Sequence, residues 1–186
     1  TVHALKTSNI PAIYSRLIVR TGSRTEGDGE WGYSHFVEHL LSQNIEMALR
    51  DHSWIDPYML NSFDAETDVE TTSFWLSMKS ADVAAVGAMI RSVFMLGKFT
   101  PAQVDAQKSI ISEELLAHMD DPHRELAQEV RDHLYGRDAK LHRDNSMGSE
   151  KSLSSVNAAK LQKFAERNFV PANSTLYVCG DFDIDV

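Results

Sequence analysis

Alternating apolar and polar residues predict five strands in this chain. The clearest alternation is carried by Phe74, Leu76 and Met78, whose neighbours are serines and a tryptophan, and a period of two is that of a strand with one buried face. The second strand alternates only in part, because Ile18 adds an apolar residue out of phase. The predicted strands cover residues 2–7, 12–20, 64–67, 71–78 and 174–179.

Apolar residues spaced three and four apart predict five helices. Two of these helices have clear start signals, since Thr100 and Asp121 are capping residues that each precede a proline at the first helical position. Gly136 ends the second of them. The predicted helices cover residues 33–50, 80–94, 101–119, 122–135 and 152–169, with longer connections at 21–32, 51–62 and 136–150.

The order of these elements predicts an α+β fold. Strands and helices are segregated along the chain, which favours a two-layer sandwich in which a mainly antiparallel sheet is covered by helices on one face. The 186 residues are enough for one well-packed domain. We therefore expect residues 1–186 to form a single domain. Because the chain stops soon after a strand, we also expect it to be a fragment of a longer protein.

Charge and hydropathy exclude two classes of partner. The 27 acidic and 18 basic residues give a net charge of −9, and lysine and arginine are not clustered, so a nucleic-acid partner is not expected. No apolar run approaches the length of a membrane span, so a membrane partner is not expected either. The single Cys179 rules out an internal disulfide and a cysteine-rich zinc site. We expect a soluble protein, with a bacterial periplasm and the cytoplasm as candidate compartments.

Two histidines in the first predicted helix have the spacing of a metal site. His35 and His39 are four residues apart, so both imidazoles lie on one helix face and can reach the same ion. Glu38 lies on nearly the same face and can reach a water beside that ion. Together they read H-x-x-E-H, the inverted form of the zinc-protease motif H-E-x-x-H. The alternative interpretation is an amphipathic helix with two surface histidines.

A third ligand is needed, because catalytic zinc is held by three protein ligands and keeps a fourth position for water or substrate. The best candidate is Glu114, in the helix predicted at 101–119. It lies in phase with apolar residues that we expect to face the core, where a buried carboxylate would need a partner. These apolar residues are Ile110, Ile111, Leu115 and Leu116. The alternative is a solvated glutamate at the edge of the apolar stripe.

Several stretches match a known family pattern in order. Gly22–Glu26, Gly32 and His35–Leu40 resemble G-S-R-x-E…G-x-x-H-x-x-E-H-(M/L). Glu114 stands 75 residues after His39, where the family has its third ligand. With these matches the chain resembles the M16 metallopeptidases over nearly all of its length. Further matches are Asp64–Thr67 to the pattern N-A-x-T, the acidic turn Asp120–Pro122, and Phe169–Asp181 to the pattern y-x-P-x-N…G-D.

The resemblance implies the fold and the chemistry of a zinc endopeptidase. It implies the M16 metallohydrolase fold and one Zn²⁺ per chain, bound by His35, His39 and Glu114. It also implies that Glu38 is the general base, which accepts a proton from the zinc-activated water and passes it to the leaving amine. The implied partners are a peptide or small protein substrate and a homologous C-terminal domain or partner subunit. In relatives that second domain helps to stabilise the oxyanion.

Two departures from the family pattern lie near the implied site. Gln107 stands where the family usually has a second glutamate that supports the metal ligands, and an amide can hydrogen-bond but adds no charge. Asp64 stands where the family has asparagine, in a strand beside the cleft along which the substrate adds as a β-strand. Together with Thr67 of the same motif, these residues are candidates for groups that support the metal or face the substrate.

Other interpretations of the motif stay open. S-ribosylhomocysteine lyase also uses H-x-x-E-H, with a cysteine as third ligand, but Cys179 lies 140 residues beyond His39 in an apolar strand and is expected to be a core residue. A non-catalytic family member with a structural or regulatory role is a second alternative, although such members usually have a broken motif. His118, one turn after Glu114, is either a group that supports the site or a surface histidine near a helix end.

Overall fold

Within residues 1–51, 62–136 and 146–183, which it describes, the computed structural model contains five strands and six α-helices. The strands are β1 (Val2–Lys6), β2 (Ala12–Val19), β3 (Phe63–Thr67), β4 (Thr72–Lys79) and β5 (Ser174–Gly180). The helices are α1 (Tyr33–Asp51), α2 (Ala84–Phe94), α3 (Pro101–Met119), α4 (Pro122–Tyr135), α5 (Glu150–Ser154) and α6 (Ala158–Asn168). None of these helices is both long and apolar enough to cross a membrane. The irregular segment expected at 51–62 and the loop expected at 136–150 fall largely outside the described residues.

The five strands form one sheet in the order β1-β5-β2-β4-β3. β1 and β5 run parallel, and the other three pairs are antiparallel. In β2, Leu17 and Val19 are buried against the helices, whereas Tyr14 is exposed and Ile18 is half-buried on the opposite side, called the outer face below. The predicted α+β fold, with a mainly antiparallel sheet covered by helices on one face, is confirmed.

α1 is the helix around which the core is built. It packs against α2, α3 and α6 and against strands β3 and β4. Its fully buried apolar residues are Phe36, Val37, Leu40, Leu41 and Ile45. His35 and Glu38 are buried as well, so the H-x-x-E-H motif is carried by a helix that is fixed from several sides. A site on such an element is held more precisely than a site on a loop.

Local hydrogen bonds start the helices where the sequence predicts. The Thr100 side chain accepts from the N–H of Gln103, and the Gln103 side chain accepts from the N–H of Thr100, which is a capping box. The Asp121 side chain accepts from the N–H of His123. Gly136 follows α4 with a φ of 79°, a conformation that favours glycine. The predicted starts of α3 and α4 and the predicted end of α4 are therefore confirmed.

The helix predicted at 152–169 is in fact two helices, α5 and α6, separated by residues 155–157. The Asn157 side chain accepts from the N–H of Lys160 at 3.0 Å and so caps the first turn of α6. Val156 is buried in the connection. The prediction of one helix is wrong because a capping asparagine starts a new helix while the buried valine anchors the break. The helix predicted from residue 80 also begins later, since a 3₁₀ turn at Ser80–Asp82 precedes α2.

The apolar stripe of α3 is narrower than predicted. The residues buried along it, three or four apart, are Val104, Gln107, Ile111 and Leu115. Ile110 and Leu116 are 45% and 62% exposed, so the prediction that they face the core is wrong. With 3.6 residues per turn, one row spaced three or four apart covers only one side of a helix, and residues next to the row turn outward. Glu114 consequently lies at the edge of the stripe, between core and solvent.

Cys179 is exposed, and not a core residue as predicted. Alternation along β5 puts it on the outer face with Tyr177, whereas Ser174 and Gly180 are buried. The prediction fails because even an apolar strand sends alternate side chains to opposite faces, and the helices among the described residues cover one face of this sheet.

Candidate metal centre

The start of α1 is fixed by a buried carboxylate. Glu26 is fully buried, and its two oxygens accept hydrogen bonds from the N–H of Gly32 at 2.8 Å and from the N–H of Ser34 at 2.7 Å. Amides at a helix N-terminus have no acceptor within the helix, and a negative charge is favourable there. Because His35 directly follows Ser34, Glu26 determines where the H-x-x-E-H motif begins in space.

The loop before α1 is tied to the hairpin of β3 and β4. A Cβ atom at Gly22 would lie 2.3 Å from the carbonyl oxygen of Asp68 in the hairpin turn, so only glycine permits this approach. The N–H of Arg24 donates to the carbonyl of Val69 at 2.9 Å, and the Arg24 guanidinium binds Glu70 at 3.0 Å. The loop therefore holds the hairpin beside the start of α1.

Three side chains from α1 and α3 converge on one point. Nε2 of His35 lies 3.2 Å from Nε2 of His39. Oε2 of Glu114 lies 3.7 Å from the first nitrogen and 3.4 Å from the second. All three atoms lie within 4.8 Å of one another and can hold a metal ion. Two imidazole nitrogens and a carboxylate oxygen are the donor set of one common class of catalytic zinc site, so the residues present fit this metal.

His35 is in the protonation state that a metal ligand needs. Burial lowers the pKa of its imidazole to about 3, and the neighbouring His39 acts in the same direction. The Nδ1 atom of His35 is buried and has no hydrogen-bond partner within the described part of the chain. The ring is therefore neutral at physiological pH, so protons do not compete with a metal ion for it.

Gln107 orients the second histidine. Its side chain is buried, and its Oε1 lies 3.1 Å from Nδ1 of His39. An amide oxygen only accepts hydrogen bonds, so Nδ1 carries the hydrogen and Nε2 keeps its lone pair. Gln107, a predicted supporting residue, is thus in direct contact with a residue of the cluster.

Glu38 lies next to the cluster and is bound by Thr67. The Thr67 hydroxyl donates to Oε2 of Glu38 at 3.1 Å. Burial raises the pKa of Glu38 to about 8, against the lowering effect of this hydrogen bond. The charges of Glu114 and Asp64 raise this pKa further, whereas a divalent cation in the cluster would lower it. In the metal-free protein the Glu38 carboxyl therefore titrates close to neutral pH.

A cavity of about 350 Å³ opens beside Glu38 and His39, with Glu46 and Asp64 among its lining residues. Asp64 lies opposite Trp75 in the strand register, on the other side of β3 from Thr67, and its carboxylate accepts from the N–H of the next residue at 2.9 Å. Asp64 thus acts on Glu38 through its charge. Of the two candidates from this strand, Thr67 contacts the site and Asp64 forms part of the cavity wall.

Two other candidate residues lie outside the cluster. Nδ1 of His118 contacts Nη1 of Arg124 in α4. Cys179 is on the outer face of the sheet. Within the described ranges, neither belongs to the group of side chains whose ligand atoms converge. The geometry therefore favours Glu114 over both as the third ligand.

The role of Glu26 is not evident from the sequence. An acidic residue ahead of a helix is a recognisable signal, but the amides that Glu26 binds are six and eight residues further along. This spacing differs from the three-residue spacing of a capping box, and it requires a loop that folds back on itself. The periodicity of the sequence carries no information on that folding.

The family model for Insulinase (Peptidase family M16) matches residues 2–144 of this chain. Together with the fold and the clustered His-His-Glu side chains, this match shows that the chain belongs to the M16 peptidase family. The resemblance found in the sequence is thereby confirmed.

Relatives of this chain carry the name of zinc proteases. An uncharacterized zinc protease of Mycobacterium bovis is 29% identical over 186 residues, which cover 96% of this chain and 41% of the relative. The probable zinc protease PqqL of Escherichia coli is 28% identical over 181 residues, which cover 90% of this chain and 19% of the relative. The chain thus spans about two fifths of the mycobacterial protein and a smaller share of PqqL.

Solved structures show the same fold. A mutant of the ferredoxin protease FusC, in complex with Arabidopsis ferredoxin, matches with a TM-score of 0.84 and 24% identity over 98% of this chain and 21% of FusC. The first half of the periplasmic protease PqqL from Escherichia coli matches with a TM-score of 0.78 and 22% identity over 99% of this chain and 40% of that structure. An M16 inactive domain from Pseudomonas fluorescens matches with a TM-score of 0.73 and 16% identity over 99% of this chain and 45% of that domain.

Proposed function

We propose that this chain is the zinc-binding domain of an endopeptidase in which Glu38 is the general base. The observation that carries the proposal is the convergence of His35, His39 and Glu114 on one point, within 4.8 Å of one another, with Glu38 in the same helix turn. Membership of a family whose relatives are named zinc proteases supports the same conclusion. The proposal includes one zinc ion per chain.

Each of the three proposed ligands is prepared for metal binding by a different feature of its surroundings. His35 is neutral because it is buried, and His39 is oriented by Gln107. Glu114 brings a negative charge from α3, and its side chain is 40% exposed, so it forms the open side of the cluster. Zinc, when bound, polarises a carbonyl group and makes a water molecule a stronger acid.

Glu38 carries the proton transfers of the proposed reaction. Its carboxylate takes the proton of the attacking water and then delivers it to the amine released from the cleaved peptide bond. The Thr67 hydroxyl binds one carboxylate oxygen and so limits rotation of the group. A nearby group with a pKa close to the operating pH is suited to both steps, since it must accept and release the same proton.

The proposed substrate is a peptide or a small protein. β3 is at the end of the strand order, and in the part of the chain that the structure describes no further strand pairs with its outer edge. An extended peptide can add to such an edge through main-chain hydrogen bonds, beside the cavity at Glu38 and His39. The complex of the similar FusC with a ferredoxin supports a protein substrate.

The proposed partner is a homologous C-terminal domain or a partner subunit. The chain spans 41% of the mycobacterial relative, so that protein has room for a further domain of similar size. The described residues supply the metal ligands and a base. None of the described residues that line the cavity is an Arg or a Tyr, whose side chains could donate a hydrogen bond to an oxyanion. A group that stabilises the oxyanion would come from the partner.

Metal analysis and one substitution test the proposal. We expect one zinc per chain in the purified full-length protein, and loss of zinc in the His35→Ala, His39→Ala double variant. His118→Ala is the matched control, because this histidine lies outside the cluster, and it should keep its zinc. Zinc binding at the wild-type level by the double variant would show that the metal is held elsewhere.

The Glu38→Gln variant separates binding from catalysis. It should retain zinc and lose about two to four orders of magnitude in turnover of a quenched-fluorescent peptide, the usual effect of removing a general base. Near-normal turnover would remove Glu38 from the mechanism.

A non-catalytic role is the second candidate, and the similarity in fold to an M16 inactive domain is the observation that favours it. It predicts no zinc-dependent hydrolysis even in the full-length protein with every partner present. The intact cluster of three convergent side chains weighs against it.

A further inference from the structure

A row of buried hydroxyl groups leads away from Glu38. The Thr67 Oγ1 atom lies 3.1 Å from Oε2 of Glu38 and 3.2 Å from Oγ1 of Thr72. The Thr72 hydroxyl also lies 3.0 Å from the carbonyl oxygen of Thr21, which can accept its hydrogen. These contacts join α1, β3, β4 and the loop that precedes α1, which are four separate parts of the fold.

All members of this row are buried. Thr67 and Glu38 are 8% and 7% exposed, and Thr72 and Thr21 are 0% and 1% exposed. Water therefore cannot replace a lost hydrogen bond easily, and buried hydrogen bonds to a charged group are the stronger ones. The row is built into the core, and its geometry is determined by the register of the hairpin, in which Thr67 lies opposite Thr72.

The number of hydroxyl hydrogens limits which atoms can donate in this row. When Glu38 is a carboxylate, three contacts share two hydrogens, one on each threonine hydroxyl. The carboxylate is the strongest acceptor, so the hydrogen of Thr67 points to Glu38. The hydrogen of Thr72 then goes either to the Thr21 carbonyl or to Thr67, and in both arrangements Thr72 acts as a donor. When Thr72 donates to Thr67, it holds the Thr67 hydroxyl in the orientation that points to Glu38. When it donates to the Thr21 carbonyl, it supports Thr67 through their 3.2 Å contact alone.

The far end of the row is itself fixed. Thr21 begins the loop in which Gly22 contacts the hairpin turn and Arg24 donates to Val69, so its carbonyl is held at a constant position above Thr72. The same loop contains Glu26, which binds the amides that start α1. The loop, the hairpin and α1 are therefore joined to one another by hydrogen bonds beside the Glu38 carboxylate.

We infer that Thr67 and Thr72 are positioning residues for the base Glu38, because Thr67 binds its carboxylate and Thr72 lies between Thr67 and the Thr21 carbonyl. This inference rests on the proposed role of Glu38 in peptide hydrolysis. Thr67 holds one carboxylate oxygen directly, and Thr72 acts through Thr67. Neither threonine belongs to the His-His-Glu cluster, so removal of its hydroxyl should affect the rate of the chemical step and leave zinc in place.

Valine and serine substitutions in the full-length protein test the inference. Thr67→Val and Thr72→Val keep the shape of the side chain and remove the hydroxyl. Each should lower kcat by about 10- to 100-fold, the usual loss when an outer partner of a catalytic group is removed, with little change in KM or zinc content. Thr67→Ser and Thr72→Ser restore the hydroxyl and should recover most of kcat. Thr175→Val is the matched control, because Thr175 lies opposite Ile18 on the outer face.

A double-mutant cycle distinguishes positioning from a general structural role. If the threonines act through Glu38, adding Thr67→Val or Thr72→Val to Glu38→Gln should not lower the residual rate further. A further loss of the same 10- to 100-fold would overturn the inference, as would full kcat in the folded valine variants. Rates are expressed per folded, zinc-loaded protein, with folding followed by thermal melting.

The outcomes also separate this inference from the proposed function. Normal turnover by Glu38→Gln would overturn both. An inactive Glu38→Gln together with fully active threonine-to-valine variants would overturn only the role of the threonines.

Discussion

The Oε1 atom of Gln107 lies 3.1 Å from Nδ1 of His39, so a neutral amide and not a carboxylate orients this imidazole. In the tautomer that results, Nε2 is free to face the cluster. A carboxylate at position 107 would add a negative charge behind the ring and raise its basicity, whereas the amide supplies orientation alone.

The Gln107 contact gives a prediction about metal affinity. Gln107→Leu removes the acceptor, and it should weaken zinc binding by about 10- to 100-fold. Gln107→Glu keeps an acceptor and adds charge, so it should bind zinc at least as tightly as the wild type. Competition with a chromogenic chelator measures both values, and equal affinity of the leucine variant and the wild type would contradict the orienting role.

A second prediction concerns Glu26. Glu26→Ala leaves the amides of Gly32 and Ser34 buried without an acceptor, so it should lower the free energy of unfolding by on the order of 3 kcal/mol. Because these amides start α1, zinc affinity should fall as well. Denaturant unfolding of the metal-free protein measures the loss. The exposed Glu113→Ala serves as control and should change stability little, and an equal effect of the two variants would refute the prediction.

Two glycines give opposite predictions for the same substitution. Gly22→Ala places a Cβ atom 2.3 Å from the Asp68 carbonyl oxygen, so it should destabilise the protein by on the order of 1–3 kcal/mol. Gly87→Ala in α2 meets nothing within 4 Å, so it should stabilise the helix by about 0.5–1 kcal/mol. Thermal melting of the two variants measures the difference. Equal shifts in Tm would show that the loop moves away from the hairpin without cost.

The pKa values of two buried groups predict how the stability of the metal-free protein depends on pH. The pKa of Glu38 is about 8 in the fold against an ordinary 4.5, so the folded state binds the extra proton and stability falls as pH rises from 4.5 to 8. The pKa of His35 is about 3 against an ordinary 6.5, so the unfolded state binds the extra proton and stability falls as pH drops from 6.5 to 3. Between pH 4.5 and 6.5 the two effects oppose each other.

Comparison with variants isolates each effect. The stability of the wild type relative to Glu38→Gln should decline between pH 4.5 and 8, and its stability relative to His35→Gln should decline between pH 6.5 and 3. Unfolding curves recorded in the presence of a chelator across this range provide both differences. A difference that does not change with pH would show that the group titrates normally in the folded protein.

The last prediction concerns residues 1–186 as an isolated chain. We expect them to bind zinc and to cleave peptides poorly or not at all. Loss of one oxyanion-stabilising group alone lowers the rate by roughly two to three orders of magnitude, and a peptide that is bound by one domain without its partner is poorly oriented. A quenched-fluorescent peptide assay compares this chain, the full-length protein, and the chain mixed with the proposed partner domain. Activity of the isolated chain equal to that of the full-length protein would show that the chemistry is complete within these residues.

The sequence by itself determined the features that depend on neighbouring residues. The start of α3 at Thr100 and the start of α4 at Asp121 follow from hydrogen bonds that span only two or three positions. The shared face of His35 and His39 follows from the helical period alone. The alternation of Phe74, Leu76 and Met78 predicted a strand with one buried face, and all three are buried. The family pattern extended this local information to the third candidate ligand, Glu114.

Only the tertiary structure decided which side of each element meets another. It turned Ile110, Leu116 and Cys179 outward, although their hydrophobicity predicts burial. It also brought Glu114 to within 3.4 Å of His39, and Thr67 to within 3.1 Å of Glu38. The physical reason is that periodicity fixes the relative directions of side chains within one element. The rotation and register of one element against another are set by packing and hydrogen bonds between residues far apart in the chain.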